Sequence, residues 1–591
     1  YNNVVTDNIP IMFGTSLGSV IPVSSLTVNG MVTSTLYAGG TPGLATVSAS
    51  WNGTVGSTNV TITAGPPYAI TALTADPTAI PANGVSTSQI TARVRDQYGN
   101  LVPNGTMVGF TTTEGSLLYN YVEAEDATKV ITAPAGAWTP VDHIDASGGR
   151  YIQASTVGAS ASWNFRGSAV SLRYRQNPTN GSIEVRVGAN IRIIDTAGPN
   201  AWREEVIFNN LSEAVAHTIV VFCLDAGVPV RLDAFRSGAT TLSGQAIATL
   251  TSKPLPPDTA TVRATAIGGT FPTRTVTVQF IGPAEVWVDD NYCSGCFNDG
   301  HLWGFDAFNN IPAGIAAVAS GGTVHVLDGT YTTGITITKP VYLDGAGSGS
   351  TTTLLGPGIG NGIYVDGGAD GSTIEGFLIA DFGYGLYLGG TSGNPLQGIT
   401  VTNNVIRDCT TGAVTGTYVY TGTFADNAFH HNTGFGFDLD SGNGNTIVNN
   451  HIYENTGFGL RVRSNNSLVS RNNIHNIGWD GIRIGSGATN TRVLTNTVSD
   501  TNGGTGGGYD LGGIALNGTT GTRVEGNTIT YVRAGGGSNT AGVALDGSNA
   551  GTVILNNMIR NNVNHGIWIS SSGYSAASPP EIHGNSIYSN G

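Results

Sequence analysis

From about Gly360 to Gly591 the chain repeats a two-part phrase, and no other feature narrows its possible folds as far. The first part reads glycine, apolar, any residue, apolar, as in Gly362-Ile363-Tyr364-Val365, and recurs at Gly385, Gly436, Gly459, Gly481, Gly513, Gly542 and Gly566. The second part is asparagine, any residue, apolar, anchored at Asn404, Asn427, Asn450, Asn472, Asn496, Asn527, Asn557 and Asn585. Successive anchors are 23, 23, 22, 24, 31, 30 and 28 residues apart. Such a period, with short alternating segments, is what a solenoid coil requires. Alternate strand residues face opposite sides, so the apolar pair points into the coil and the residue between them points out. The glycine is expected to open the strand at a bend. The asparagines fall at corners, where stacking at about 4.8 Å allows a hydrogen-bonded ladder.

This pattern resembles the right-handed parallel β-helix of the pectate lyase and NosD-like superfamily, over roughly Val286 to Gly591. The opening is similar too: Trp287-Val288-Asp289-Asp290, an amphipathic helix expected over Phe305–Ala317, then Gly321-Gly322-Thr323-Val324-His325-Val326 and Gly329-Thr330-Tyr331. The resemblance implies that this segment caps the open end of the core.

Composition agrees with an extracellular all-β chain: glycine is 86 of 591 residues and charged residues are only 11%, against about a quarter in ordinary globular proteins. A net charge of −14 argues against nucleic acid or an anionic membrane as partner. No apolar run approaches the roughly eighteen residues that span a bilayer, so no direct membrane insertion is expected. Cys293 and Cys296 form a C-x-x-C loop without a second zinc-type pair or a thioredoxin-like context, and the favoured reading is a local disulfide over metal or redox chemistry. Cys223 and Cys409 read as buried and inert.

The first third holds a different repeat. Tyr1-Asn2-Asn3-Val4-Val5 with Ile11–Gly18 matches Tyr98–Val102 with Met107–Gly115 at an offset of 97. The second copy then stops, and its missing half resumes at an offset of 214 to 215, where Asn29–Leu36 answers Ser243–Leu250. The difference is an insertion of 117 residues or so, between roughly Leu117 and Arg236. The expected domains are therefore 1–66, a partial copy; 67–116 with 237–284, the second copy; 117–236, the insert; and 285–591, the solenoid. Insertion at an exposed loop tip is well tolerated. The phrase Leu73-Thr74-Ala75-Asp76-Pro77 through Asn83-Gly84, followed by Thr91–Asp96, resembles bacterial immunoglobulin-like domains of the invasin and intimin type, which implies β-sandwich spacers. The polar residues of Asp96-Gln97-Tyr98-Gly99-Asn100 read as turn formers.

Within the insert, Val122-Glu123-Ala124-Glu125-Asp126, Asp145-Ala146-Ser147-Gly148-Gly149 and Leu232-Asp233-Ala234-Phe235 resemble jelly-roll carbohydrate-binding modules of families 6 and 35. The resemblance implies a structural calcium on Glu123, Glu125 and Asp233, oxygen ligands that suit a hard cation; the alternative is ordinary turn and edge carboxylates. It also implies glycan binding on aromatic platforms, for which Trp138, Tyr174 and Trp202 are the candidates. Trp202, in the polar stretch Gly198–Glu204, has the best case, since an aromatic in a sandwich is more often core.

On the solenoid, the outward residues of the glycine phrase form a stripe: Tyr364, Tyr387, Asp438, Arg461, Arg483, Ala515, Ala544 and Trp568, with Asp366, Asp440 and Arg463 alongside. Tyr364, Tyr387 and Trp568 are further candidate sugar contacts. If this face is catalytic, Asp438, Asp440, Arg461 and Arg483 supply the residue types that a polysaccharide lyase or a glycoside hydrolase needs. The bland reading is an ion-pair ladder, Asp438 to Arg461 and Asp440 to Arg463. His430, His431, His451 and His475 fall near turns, with no Met or Cys to complete a soft copper site, and read as corner and surface residues.

Both ends of the sequence look cut, which suggests a window of a longer surface protein or a fibre subunit completed by a neighbouring copy. Sequons such as Asn52-Gly53-Thr54, Asn104-Gly105-Thr106 and Asn517-Gly518-Thr519 are compatible with surface glycosylation. The expectation is an extracellular adhesive or structural protein with glycans and identical subunits as partners. Its rival is a secreted polysaccharide lyase or glycoside hydrolase.

Overall fold

The computed structural model describes residues 6–346, 351–501, 512–533, 539–572 and 577–591. It divides into two compact units, Tyr1–Ile281 and Gly282–Gly591. The matched segment Tyr1–Val5 lies outside the described residues.

The second unit is a parallel β-helix. A rung is three short strands, for example Thr423–Ala425, Ala428–His430 and Phe437–Leu439. Each pairs in parallel with its counterpart one rung on: Phe424 with Ile447, Phe429 with Ile452, Phe437 with Leu460. Among the described residues this stacking builds sheets of thirteen, eleven and ten strands. The ten-stranded sheet carries the glycine phrase. Its inward pairs are sealed from solvent, as Phe437 and Leu439 show, both fully buried. Inside, the rings of Phe424 and Phe437 stand 4.7 Å apart. Burying one such side chain stabilises by about 1.5–3 kcal/mol, repeated at every rung.

The asparagine anchors lie at the corner between the thirteen- and eleven-stranded sheets, buried from Asn404 to Asn557 and partly exposed at Asn585. Asn450 Oδ1 accepts from Asn427 N at 3.0 Å and from Asn427 Nδ2 at 3.1 Å, while Asn450 Nδ2 donates to Phe424 O, Val448 O and Asn472 Oδ1. All four hydrogen-bonding sites of the amide are used, so the buried group is satisfied. The turn itself is made one residue earlier, where Asn403, Asp426, Asn449, Arg471, Thr495 and Asn556 all adopt left-handed φ of 54–58°. A second ladder, Asn432 to Asn455 and Asn562 to Asn590, holds the corner leading to the glycine phrase.

The glycine of the phrase has a different cause from the one expected. Its φ is not left-handed; the position is simply too tight for a side chain. A Cβ on Gly436 would sit 2.7 Å from both Gly459 O and Ile452 Cγ2, and one on Gly459 would sit 2.6 Å from Gly481 O and 2.9 Å from Ile474 Cγ2. Each glycine lets its rung close onto the isoleucine-rich strand of the eleven-stranded sheet. One rung escaped the sequence pattern: Thr411–Thr415 stacks between Tyr384–Gly389 and Phe437–Leu439, but Thr415 stands where an apolar residue was sought. Its buried Oγ1 accepts from Asp440 N at 2.9 Å.

At the start of this unit Glu285–Val288 pairs in parallel with Thr323–Val326. The helix is shorter than expected, Ile311–Ala317, because Pro312 near its start needs no amide partner while Ala307–Phe308 is extended and paired with Trp287–Val288. Asn310 caps it, accepting from Ala313 N at 2.9 Å. Gly314 lies against Val288 and Val324, which closes the helix over the core.

The first unit is built of antiparallel sheets, with the exception of Ala79–Pro81, which pairs in parallel with Thr273–Ile281. Pro10–Thr15, Ser24–Leu26, Gly43–Trp51 and Thr54–Ile62 form one sheet at its start. Next, Ala69–Asp76 pairs with Thr87–Arg95, which in turn pairs with Gln245–Thr251, and Met107–Thr112 pairs with Asp258–Ala266, around Ile90, Val94, Phe110, Val262 and Phe280. Between Leu117 and Arg236 the chain builds sheets around its own core, which includes Trp163, Leu172, Val185, Val221 and Phe235. The strand Val230–Thr240 belongs to both: it pairs with Ala169–Gln176 of the insert and, through Ala239 and Thr240, with Met107–Val108.

Candidate functional site

Glu123, Glu125 and Asp233 approach one another in the insert, but Asp233 is already engaged. It is fully buried, lies 3.0 Å from Arg173 Nε, and its two oxygens accept from Ser147 N at 3.0 and 3.2 Å. Burial drives its carboxyl up to about 7, against the pull of Arg173 and Ser147 and with a push from Glu123 and Glu125. Burial also raises Glu123, where the Ser147 hydroxyl opposes it and Glu125 adds to it. Glu123 Oε2 and Glu125 Oε2 are buried without a hydrogen-bond donor. Among the described residues no group of three or more His, Cys, Asp or Glu side chains is arranged to hold a metal ion. The expected trio therefore resolves into an Arg173–Asp233 pair beside two glutamates with orphaned oxygens.

Of the aromatic candidates in the insert, Trp138 and Tyr174 are corrected by the structure: both are buried in its core, and the Tyr174 hydroxyl is tied to Glu205 at 3.0 Å. Strand parity within Ala169–Gln176 turned Tyr174 inward, whereas Trp138 enters the core from the bend just before Thr139–Asp142. Trp202 is half-buried, with Arg173 and Arg175 each 5.5 Å from its ring centre and Tyr151 edge-on at 5.7 Å. Guanidinium groups thus occupy the surroundings a sugar ring would need. Trp202 instead borders a cavity of about 550 Å³ shared with Tyr121, Ser147, Arg236, Arg263 and Phe271.

On the β-helix the register aligns Tyr364, Tyr387, Val414, Asp438, Arg461, Arg483, Ala515, Ala544 and Trp568 in one column. Asp438 receives a two-pronged contact from Arg461, whose Nε lies 2.7 Å from Oδ1, and Asp440 pairs with Arg463. Arg483 departs from the ladder, pairing with buried Asp480 at 2.9 Å, while Asp480 also accepts from Gly512 N at 2.7 Å. Arg461 lies over Phe435 and Arg483 over Phe458. Tyr364 and Tyr387 are ring neighbours at 5.7 Å and half-buried. Trp568 packs on buried Ala515, Ala541 and Ala544, so it serves as a cover over small residues more than as an open platform.

Beside this stripe runs a feature that sequence reasoning missed. Where the chain leaves Asp440 and Arg463, an open polar groove of about 470 Å³ is lined by Tyr418, Tyr420, Ser441, Asn443, Asn465, Asn466 and Thr489. Its amides are stacked across rungs, with Asn466 Nδ2 2.6 Å from Asn443 Oδ1 and Asn490 Nδ2 3.1 Å from Asn466 Oδ1. The signal available was the recurrence of Asn a fixed distance after the apolar pair, in Gly442-Asn443 and Ser464-Asn465-Asn466. In the cap, Cys293 and Cys296 are disulfide-bonded, and Cys223 and Cys409 are free and buried.

Residues 361–529 and 468–591 match the family model described as a right handed beta helix region. The fold class is accordingly all-β with a C-terminal right-handed parallel β-helix. No curated protein matches the chain. Solved structures similar to it include the catalytic unit of a thermostable GH87 alpha-1,3-glucanase from Streptomyces thermodiastaticus strain HF3-3, at 14% identity over 81% of this chain and 98% of that one, with a TM-score of 0.31. They also include two Azotobacter vinelandii mannuronan C-5 epimerase A-modules. That of AlgE6 is 22% identical over 45% of this chain and 91% of its own, TM-score 0.30; that of AlgE4 is 16% identical over 46% and 87%, TM-score 0.32. Likenesses this low bear on neither site nor activity.

Proposed function

We propose that the β-helix holds a polysaccharide along its glycine-phrase face and acts on it as a lyase or a glycoside hydrolase. The observation that carries this reading is the open groove of Tyr418, Tyr420, Asn443, Asn465 and Asn466 running beside the Asp438, Asp440, Arg461 and Arg463 charges. Hydroxyls and amides arrayed over several rungs offer the alternating donors and acceptors that a sugar chain needs. Asp438, in the strand Phe437–Leu439, and Asp440, just past its end, are two residues apart along extended chain, so about 7 Å separates their Cα atoms, within reach of the carboxyl spacing that glycoside hydrolysis uses. Arg461 and Arg483 are the basic groups. A second reading, an extracellular adhesive or structural protein with glycan-binding capacity, is favoured by one fact: both aspartates already sit in complete ion pairs.

The same proposal treats the N-terminal sandwiches as invasin-type immunoglobulin-like spacers and the insert as a family 6 or 35 type module. Calcium would sit at Glu123 and Glu125, whose orphaned oxygens, on carboxyls that burial raises, suit a hard cation, while Asp233 stays with Arg173 beside them. The Cys293–Cys296 bond suits an extracellular location. Glycans, and identical subunits in a fibre or layer, are the proposed partners.

The test incubates the protein with pectate, alginate, and α- and β-glucans, with calcium and after chelation, following retention, reducing ends and unsaturated uronates. Shortening of a polymer that Asp438→Asn and Asp440→Asn each reduce at least about a hundredfold supports the enzyme. Retention without shortening selects the adhesive reading. Retention unchanged in Tyr418→Ala with Asn465→Ala refutes the groove.

A further inference from the structure

The cavity of about 550 Å³ beside Trp202 is walled by both the insert and its host, on one face of the sheet that runs unbroken from Val230–Thr240 into Met107–Thr112. On the host side Thr111 stands opposite Arg263, and Thr265 stands opposite both Gly109 and Thr273. On the insert side Tyr121 stands opposite Arg236, and Arg173 opposite Glu204. Arg236 crosses the junction. Its guanidinium is 4.5 Å from the centre of the Tyr121 ring, and its stem passes over Gly109, where a Cβ would sit 2.5 Å from Arg236 Cδ. Glycine at 109 is what lets it pass. In a chain of net charge −14, three of the 25 lysines and arginines line this one cavity, against a single carboxylate, Glu204. That carboxylate is already held by Arg236 Nε at 2.8 Å and by the Ser171 hydroxyl at 2.9 Å. Arg173 turns its Nε to buried Asp233 at 3.0 Å. Arg263 is exposed and, among the described residues, is in no ion pair. Over the same cavity stands Phe271, an exposed aromatic with a left-handed backbone, φ 51°. A bulky residue is rarely held that way, and such strain gathers where a side chain must be presented to a ligand.

We propose that this cavity binds a sulfate or phosphate monoester of a sugar, the oxyanion among Arg173, Arg236 and Arg263 and the sugar against Phe271. One guanidinium fork satisfies a planar carboxylate, whereas a monoester presents three free oxygens, which suits donors from three arginines. The volume is in the range of small-ligand sites. Thr111, Thr265 and Thr273 add hydroxyls that both donate and accept, as a sugar requires. Guanidinium groups over Trp202 close that ring to stacking, and the exposed Phe271 ring takes its place. The site lies in the first unit, so it stands apart from the polysaccharide reading of the β-helix.

The test titrates glucose 6-sulfate and glucose 6-phosphate into the whole chain by calorimetry at low ionic strength, beside glucose, glucuronate and sodium sulfate. One equivalent of ester should bind, and the tighter of the two identifies which ester the cavity serves. Arg263→Gln leaves the pairs of Arg173 and Arg236 intact and should weaken the ester about tenfold, the loss of one charge-assisted contact. Phe271→Gly, which keeps the left-handed backbone without strain, should bring the ester down to the affinity of free sulfate. Absence of binding by both esters overturns the proposal. So does sodium sulfate binding as tightly as the esters to the unaltered chain, which would mean an adventitious ion only. Glucuronate binding as tightly would refute the three-oxygen argument, and an affinity unchanged in Arg263→Gln would refute the site. Thermal midpoints check that both variants fold, and if one does not, the other decides.

Discussion

Single residues in this chain act mainly by satisfying or excluding a neighbour. Asp96 illustrates the first. It is buried, and burial pushes its carboxyl up, yet hydrogen bonds from the Asn100 side chain and from the backbone N–H groups of Gly65, Asn100 and Tyr98 outweigh that and hold it below the usual aspartate range. The four donors lie 2.8–3.0 Å away. Because the folded-state value is depressed, the stabilisation is present above the unfolded value near 3.9 and is lost as pH falls through the lower folded one. Asp96→Asn sets an amide against those donors and should cost about 2 kcal/mol at pH 7. Melting the first unit across pH should show the deficit shrinking below about pH 4; a deficit independent of pH would sink this account. The sequence already marked Asp96–Asn100 as a turn. That the same carboxylate receives the linker amide of Gly65 was not visible, because nothing local records which strand ends meet.

At the scale of the rung, the glycine phrase is a packing device. Gly436→Ala places a methyl 2.7 Å from a carbonyl and from Ile452, neither of which has room to retreat. Overpacking of this kind costs about 1–3 kcal/mol. Gly393→Ala, in a loop of the same unit with open space around it, should be neutral within about 0.5 kcal/mol. Denaturant unfolding of the two variants compares them directly, and equal midpoints would show that the phrase reports turn preference instead. The repeat made the β-helix legible because every rung solves the same close-packing problem with the same residues. The groove was not legible from it, since Tyr418, Asn443 and Asn465 belong to the variable corner, where the recurring Asn gives way to other residue types, as at Tyr420 one rung before Asn443. The ion pairs were half legible: strand parity aligned Asp438 with Arg461, whereas the partner of Arg483 is Asp480, outside the strand and invisible to parity.

Across the whole first unit, the question is how an insertion between paired halves of a sandwich affects its host. The internal repeat marks the break near Leu117 and the resumption near Ser243, and the structure pairs Leu117 with Leu250. What no repeat could show is that the returning chain does not simply close a loop. Val230–Thr240 is one uninterrupted strand whose first residues complete the insert and whose last join Met107–Val108 of the host. Buried Met107, Ala169 and Ile267, with Val206 against them, seal the same boundary. A lesion deep in the insert should therefore reach the host. Leu172, fully buried in the insert core, is the place to make it: Leu172→Ala leaves a cavity worth about 2–5 kcal/mol. In hydrogen exchange on the full chain, amides of Met107–Thr112 and Asp258–Ala266 should lose protection along with those of Ala169–Gln176, because the strand that links them opens as one cooperative element. Faster exchange confined to residues 117–236 would mean that the insert unfolds alone, and that the shared strand is a covalent continuity without an energetic one.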